Sequence, residues 1–576
     1  MKKTGAQIVW ETLVNEGVEV VFGYPGGANL PIYDALPDFP KVHHVLVRHE
    51  QGAAHMADGY ARASGRVGVA MATSGPGATN LVTGIATALM DSSPTVFITG
   101  QVNSKLLGYD AFQETDVTGI TLPITKHNYL VTEASEIGPT LREAFYIART
   151  GRPGPVLVDI TKDAQQNLAE WDLRDPSPIR MRGYRPDYSP STSDLEKAVE
   201  LIQYARRPVI LAGRGVLMSG ATAELLEFAE RTQTPVALTL LGLGGFPASH
   251  PLNLGMMGMH GEAFVNQAIQ ESDLLLAFGM RFDDRVTGNL KSYAPHARKI
   301  HVEIDKSEIN KNVKVDVALV GDLASTLRQI LKQAPSAGQE HDEWLAVIKD
   351  WKGDTAVRDI QNLPDNGHLY AAHVINDLWR VTEGKAMVVT DVGQNQMWTA
   401  QYYKQNYPGN FITSGGLGTM GFGLPAAIGA KFARPEQEVW VVAGDGGIQM
   451  TQSELSTAAQ EGIKVNVAII NNGYLGMVRQ WQEFFYDKRY SATPMRGPDF
   501  VKLTEAHGLI GLRVSTRDEV EPAIRMAQQT EGTVVIDFRV EKEDSVYPMV
   551  PTGADLKHMI RRPISNPIME NAETSM

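Results

Sequence analysis

Two short stretches in the last third of the chain place oxygen donors at a fixed spacing. Asp445 stands in Gly444-Asp445-Gly446-Gly447 behind an apolar run at 439–443, and 24 residues separate Gly446 from Asn471-Asn472, which closes a second apolar run at 465–470. If both runs are parallel strands, Asp445 and Asn472 end them at one edge of one sheet, where doubly wound sheets bind ligands. Asp and Asn offer the hard oxygens that Mg²⁺ takes one or two at a time beside phosphate oxygens. Gly446 and Gly447 let a diphosphate approach the backbone. Taken singly, Asp-Gly and Asn-Gly are turn dipeptides; the pair at this spacing points to a metal and a phosphate. A third candidate, Glu50, lies past a run at 45–48 and opens a helix predicted over 51–63; alone, it is an acid complementing a helix dipole. The chain has no cysteine, which excludes thiolate nucleophiles, disulfides and Cys-type metal sites. Demanding chemistry must therefore rest on carboxylates, His, Lys, an oxygen-bound metal or a cofactor.

The elements that must hold these residues follow from a repeated rhythm. Apolar runs at 18–22, 67–73, 96–99 and 156–160, at 209–212, 274–278 and 300–304, and at 388–390, 439–443, 465–470 and 534–538 are each followed by a helical pattern. Runs apolar throughout are parallel strands covered on both faces, so the fold class is α/β. Proline-rich breaks suggest domains at 1–165, 190–335 and 368–545, linkers at 166–189 and 336–367, and a C-terminal arm or lid at 546–576. The 576 residues are 43% hydrophobic and 21% charged, as in globular proteins, and net charge is −13, which argues against nucleic-acid binding. No apolar run is long enough to span a membrane. The N-terminus lacks a signal peptide, so a cytoplasmic location is expected. Gly416-Leu417-Gly418-Thr419-Met420-Gly421 matches GxGxxG, but no good buried strand precedes it and no suitably placed acid follows. A dinucleotide reading is rejected.

The GDG–24–NN pattern resembles the signature of thiamine diphosphate (ThDP) enzymes, and the segment from Arg48 to Arg62, RHEQGAAHMADGYAR, resembles the one that presents their activating glutamate. Gly23-Tyr24-Pro25-Gly26-Gly27, the stretch from Ala111 to Asp116, that from Arg281 to Gly288, and that from Gly476 to Gln482 together resemble the acetohydroxyacid (acetolactate) synthase catalytic-subunit family over nearly the full length. The resemblance implies three doubly wound parallel-sheet domains binding, in order, the ThDP pyrimidine, FAD, and the ThDP diphosphate with Mg²⁺. It also implies decarboxylation of pyruvate and condensation with a second pyruvate or 2-ketobutyrate, the first common step toward Val, Leu and Ile.

Residue by residue, it implies Glu50 as the carboxyl at N1′ of the aminopyrimidine, and Gln113 and Lys162 as polar groups near the reacting centre. Val392, Gly393, Gln394, Asn395, Gly418, Gly446, Gly447 and Met477 contact ThDP, and Met420 buttresses it. Asp445, Asn472 and the Tyr474 carbonyl ligate Mg²⁺. Phe112, Met477, Val478 and Trp481 shape the substrate pocket. FAD falls to Arg152, Gly213, Arg214, Gly215, Met259, His260, Gly279, Arg281, Asp284, Arg285, Glu303, Asp305 and Asp322. Among these, Arg281 and Arg285 suit a diphosphate clamp, and Glu303 and Asp305 end a strand as ribose ligands do. Partners implied are a second copy (a homodimer or dimer of dimers) and a small regulatory subunit. The rival readings are another FAD- and ThDP-containing enzyme of the pyruvate oxidase or carboligase type, and a catalytically dead scaffold of the same fold.

Overall fold

The structure is a computed structural model that describes residues 2–172, 179, 181–186, 188–336, 339–356, 358–362 and 366–563. Three six-stranded parallel sheets follow one another along the chain. The first contains β1 (Val20–Gly23), β2 (His43–Leu46), β3 (Gly68–Ala72), β4 (Thr95–Gln101), β5 (His127–Val131) and β6 (Pro155–Thr161), in the order β2-β1-β3-β4-β6-β5. The second has β7 (Pro208–Ala212), β8 (Val236–Leu238), β9 (Asn253–Met256), β10 (Leu274–Phe278), β11 (Arg298–Glu303) and β12 (Val317–Val320), ordered β9-β8-β7-β10-β11-β12. The third has β13 (Met387–Thr390), β14 (Phe411–Ile412), β15 (Val439–Gly444), β16 (Asn466–Asn471), β17 (Ile510–Val514) and β18 (Val534–Arg539), ordered β14-β13-β15-β16-β18-β17. The first and third sheets share one topology. The middle sheet reverses direction between β7 and β10, which leaves a crevice beyond their carboxyl ends.

The central strands are those the apolar runs mark. β5 and β17 escape that reading because each is a sheet edge whose residues are mostly exposed or half-buried, so no continuous apolar run is needed there. β8 escapes it because it is only three residues long. Within 166–189, Leu168–Glu170 pairs antiparallel with Lys2–Thr4. Within 336–367, the helix Gln339–Ala356 buries Trp344 and Ile348 in the middle domain's core. The described part of the arm also packs: Val550 N–H donates to the Met259 carbonyl (2.8 Å), and Met549, Val550 and Leu556 are buried. Pro176, Pro178, Pro364 and the arm beyond 563 lie outside the described residues.

One hydrophobic core joins the first and third domains. At its centre the helix Glu50–Ser64 packs on the helix Gly423–Ala433 through small residues. A Cβ on Gly59 would overlap the Ala426 carbonyl, and one on Gly429 the Met56 carbonyl. Backbones this close have no room for a methyl group. Gly429→Ala should therefore destabilise the protein by about 1–3 kcal/mol, the usual penalty of overpacking, seen as a lower melting temperature. An unchanged value would mean that the helix pair separates without cost.

Candidate functional site

At the carboxyl edge of the third sheet, β15 and β16 are paired in register up to Gly444 and Ile470, which sets Asp445 beside Asn472. Asp445 is 2% exposed and opens the helix Asp445–Thr451. Burial, the largest influence, pushes its carboxyl up to about 6, although backbone N–H groups, including that of Asn472, donate to it. Asn472 Oδ1 accepts from the Tyr474 N–H (3.1 Å) and its Nδ2 donates to Gln394 Oε1 (3.1 Å). Among the described residues no cluster of three or more His, Asp or Glu side chains exists. The Asp445 carboxylate beside amide and carbonyl oxygens would suit Mg²⁺, which takes one or two protein oxygens together with phosphate oxygens. Above Gly446, the space a Cβ would fill is bounded by Leu475, Met495 and the Met420 methyl (3.5 Å). Apolar side chains thus crowd in on Gly446, next to Asp445.

β13 leads into Asp391, which the sequence reading passed over although it lies one residue past a strand end. Its buried carboxylate accepts from the N–H groups of Val392 (2.8 Å), Gly421 (3.0 Å) and Gly423 (3.0 Å), locking the loop after β13 to the loop that carries Gly418 and Met420. The side chains of Gln394 and Asn395 are spent inside the protein: Gln394 donates to Gln480 Oε1 (2.9 Å), Asn395 to the Asp391 and Val442 carbonyls (3.0 Å each). What they offer an anion is the backbone N–H array at the start of the helix Gln394–Tyr402.

Glu50 occupies the matching edge of the first sheet. It is 9% exposed and is the first residue of its helix, which His49 caps by accepting from the Gln51 N–H (3.1 Å). Asn80 Nδ2 donates to Glu50 Oε2 (2.9 Å); the sequence reading missed Asn80, whose Asn-after-small-residue-turn setting carries little signal. Gln113 has φ 60° and lies against Gly75, where a Cβ would come 2.7 Å from the Gln113 carbonyl. Gly75 itself has φ 57°, so two reasons require glycine there. Lys162 follows β6 directly, and its neighbour Asp163 holds Ser104, at the base of the loop carrying Phe112, by N–H (2.9 Å) and hydroxyl (2.5 Å). Phe112 is 88% exposed, so it walls no pocket within its own chain. Among the described residues no hydrogen bond or ion pair joins the Glu50 group to the Asp445 group.

Between the three domains lies a cavity of about 1080 Å³ at the crevice of the middle sheet. Of the residues expected at FAD, Arg152, Arg214, Gly215, Met259, His260, Gly279, Arg281, Asp284, Arg285, Glu303 and Asp322 line it, and so do Val392, Gly393, Gly418, Met477 and Trp481. Three further expected residues lie outside this lining. Gly213 is outside the lining; it is glycine because a Cβ would overlap the Gly279 carbonyl. Asp305 is also outside, pairing with Arg152 Nη1 (3.3 Å) and capping the turn at Ser307. Val478 is 50% exposed and points away, since Met477 and Trp481, four residues apart, share one helix face and Val478 lies about 100° round from Met477.

The cavity is built for an anion with polar groups. Arg214 Nε and His260 Nδ1 are buried without partners, and desolvation, then the neighbouring Arg62, lowers Arg214 to about 9. Burial lifts Glu303 to about 7. A diphosphate and ribose would satisfy these groups, so the residues present fit a flavin dinucleotide.

Family models for thiamine pyrophosphate enzymes match all three domains: the N-terminal TPP binding domain over residues 3–120, the central domain over 195–330, and the C-terminal TPP binding domain over 391–538. The chain is 50% identical over 563 residues to an acetolactate synthase large subunit of Corynebacterium glutamicum, covering 96% of this chain and 89% of that protein. It is 45% identical over 567 residues to the large subunit of Haemophilus influenzae, covering 97% and 98%.

The chain belongs to the acetolactate synthase large-subunit family.

Family membership makes it an enzyme of the acetolactate synthase type, with ThDP as cofactor, and disfavours the oxidase, carboligase and scaffold readings. The three α/β domains of this acetolactate synthase relative are those expected from the sequence. No helix among its described residues is long and apolar enough to cross a membrane.

Proposed function

We propose that the protein decarboxylates pyruvate and joins the remaining two-carbon unit to a second pyruvate or to 2-ketobutyrate, giving 2-acetolactate or 2-aceto-2-hydroxybutyrate, in the cytoplasm. The observation that carries this reading is the shared lining of one cavity by the Val392-Gly393 and Gly418 loops and by Met477 and Trp481, a cofactor edge facing an apolar acceptor pocket. When bound, ThDP supplies a carbon centre that takes up the electron pair released with CO₂.

The chain's own residues do the rest. Glu50 holds the proton exchanged with N1′ of the aminopyrimidine, with Asn80 fixing one carboxylate oxygen so that the other is presented. Asp445, Asn472 and the Tyr474 carbonyl hold Mg²⁺, and the backbone N–H groups after Gly393 hold the diphosphate. Met420, with Leu475 and Met495, would support the cofactor ring and exclude water from it. Gln113 and Lys162 orient the 2-ketoacid carboxylate. FAD, held by Arg214, Arg281, Arg285 and Glu303, serves as structure, because the net reaction is not a redox one.

That no hydrogen bond or ion pair among the described residues joins the Glu50 and Asp445 groups within the chain supports a site completed by a second copy, in a homodimer or a dimer of dimers. The relatives' designation as large subunits supports a small regulatory subunit as a further partner.

Incubation with pyruvate, ThDP, Mg²⁺ and FAD should yield acetolactate without net flavin reduction; acetate or acetyl phosphate would overturn the reading. Trp481→Leu should cut the preference for 2-ketobutyrate over pyruvate as acceptor roughly tenfold, the discrimination that packing around one methylene supplies. Product ratios under competition measure it, and an unchanged ratio removes Trp481 from the acceptor pocket.

A further inference from the structure

Glu454 follows the helix Asp445–Thr451 by three residues and is fully buried (0% exposed). Its carboxylate does not serve its own domain alone. Oε1 accepts from the backbone N–H groups of Arg48 (3.1 Å) and His49 (3.0 Å), while Oε2 accepts from the Thr457 hydroxyl (2.6 Å) and shares the Arg48 N–H (3.2 Å). Arg48 and His49 are the two residues immediately before Glu50. Arg48 reaches back through Nη2 to Gln460 Oε1 (2.8 Å), and a Cβ on Gly52, in the first turn behind Glu50, would overlap Glu454 Oε1. The turn that presents Glu50 is thus gripped, from before and behind, by the segment that continues the Asp445 helix.

We propose that Glu454 is a positioning residue for Glu50, and that through it the diphosphate and metal end of one site is mechanically tied to the carboxyl that serves the site of the partner copy. The inference rests on the reading of Glu50 as the activating carboxyl and of the dimer as the working form. Hydrogen bonds from N–H groups to a buried carboxylate are charge-assisted and hold geometry more firmly than neutral ones. Removing the acceptor leaves two buried N–H groups unpaired, and the loop relaxes at the position where a shift of about 1 Å costs on the order of 10²-fold in rate. A displacement of the Asp445 helix on binding metal and diphosphate is transmitted over the three residues to Glu454 and from there to the Glu50 turn.

The test uses the full-length holoenzyme and reads exchange of the ThDP C2 proton with D₂O by acid-quench NMR without substrate, together with ThDP affinity and the pyruvate KM. Glu454→Met keeps side-chain volume and removes the acceptors; exchange should slow by about 10²-fold with ThDP affinity and KM unchanged. Glu454→Gln keeps one oxygen facing both N–H groups and should restore most of the rate, a rescue that a loss of general stability would not produce. Thr457→Val, which removes the hydroxyl that holds Oε2, should slow exchange in the same direction by less, and decides the matter if Glu454→Met does not fold. Exchange at the wild-type rate in these variants, or no rescue by Gln, overturns the role of Glu454. Exchange at the wild-type rate in a parallel Glu50→Gln overturns instead the reading of Glu50 on which it rests.

Discussion

Glu50→Gln should lower turnover by roughly 10²–10⁴-fold, the usual contribution of a positioned acid–base group, while ThDP and Mg²⁺ remain bound. That loss corresponds to about 3–5 kcal/mol of barrier. The reason is chemical rather than steric. Gln fills the same volume and still accepts from Asn80 Nδ2 (2.9 Å in the parent), but its amide cannot exchange a proton with the aminopyrimidine. Because the Asp445 group on another sheet edge carries the diphosphate, cofactor affinity should change little. Steady-state turnover combined with ThDP titration by fluorescence separates the two. Unchanged turnover would remove Glu50 from the chemistry, and lost binding with normal turnover at saturation would make it a binding residue only.

Asp445→Asn should produce the opposite division: cofactor binding weakened by roughly 10²–10³-fold at fixed Mg²⁺, since breaking a buried ion pair costs about 3–5 kcal/mol. Among the described residues no group of three or more His, Asp or Glu side chains that could hold a metal ion stands by to take over its role. The same substitution should leave the metal-free protein at least as stable at pH 8. Burial raises the folded Asp445 carboxyl to about 6, above its unfolded value of about 3.9. Its contribution to stability is therefore complete below the unfolded value and is lost as pH rises through about 6, where the buried group must ionise. Asn removes that cost. Melting curves at pH 5 and pH 8 without metal, and ThDP titrations with it, check both halves. A metal-free variant that melts lower at pH 8 than the parent would show that Asp445 holds the fold rather than the ion.

Much of the molecule is legible in the chain itself. The central strands announce themselves because a parallel strand buried on both faces must be apolar throughout. The residue just past such a strand lies at the ligand-binding edge, so Asp445 and Asn472 can be found from pattern, while Glu50, Gly393 and Gly279 come from the family resemblance. The absence of cysteine limits the chemistry to what oxygen ligands and borrowed cofactors provide, and the motif spacing names the cofactor. Edge strands and the direction of individual side chains are not encoded so locally. Val478, Gly213 and Asp305 belong to the expected segments yet stand outside the cavity lining, because helix phase and backbone packing decide which neighbour faces it.

The tertiary structure alone decides the rest. Glu454 grips Arg48 across 406 residues of sequence, and Asp391 locks two loops 30 residues apart. Neither contact has a sequence period: the first depends on where separate domains dock, the second on how two loops of the third domain fold together. The sequence by itself determines the three α/β domains, the ThDP chemistry and the residues at each sheet edge. Only the packing of the first domain on the third ties the turn that carries Glu50 to the segment that continues the Asp445 helix. Local hydrophobic pattern specifies elements and their ends, whereas the close approach of the helices at Gly59 and Gly429, and the buried carboxylate between them and the site, are settled by long-range packing.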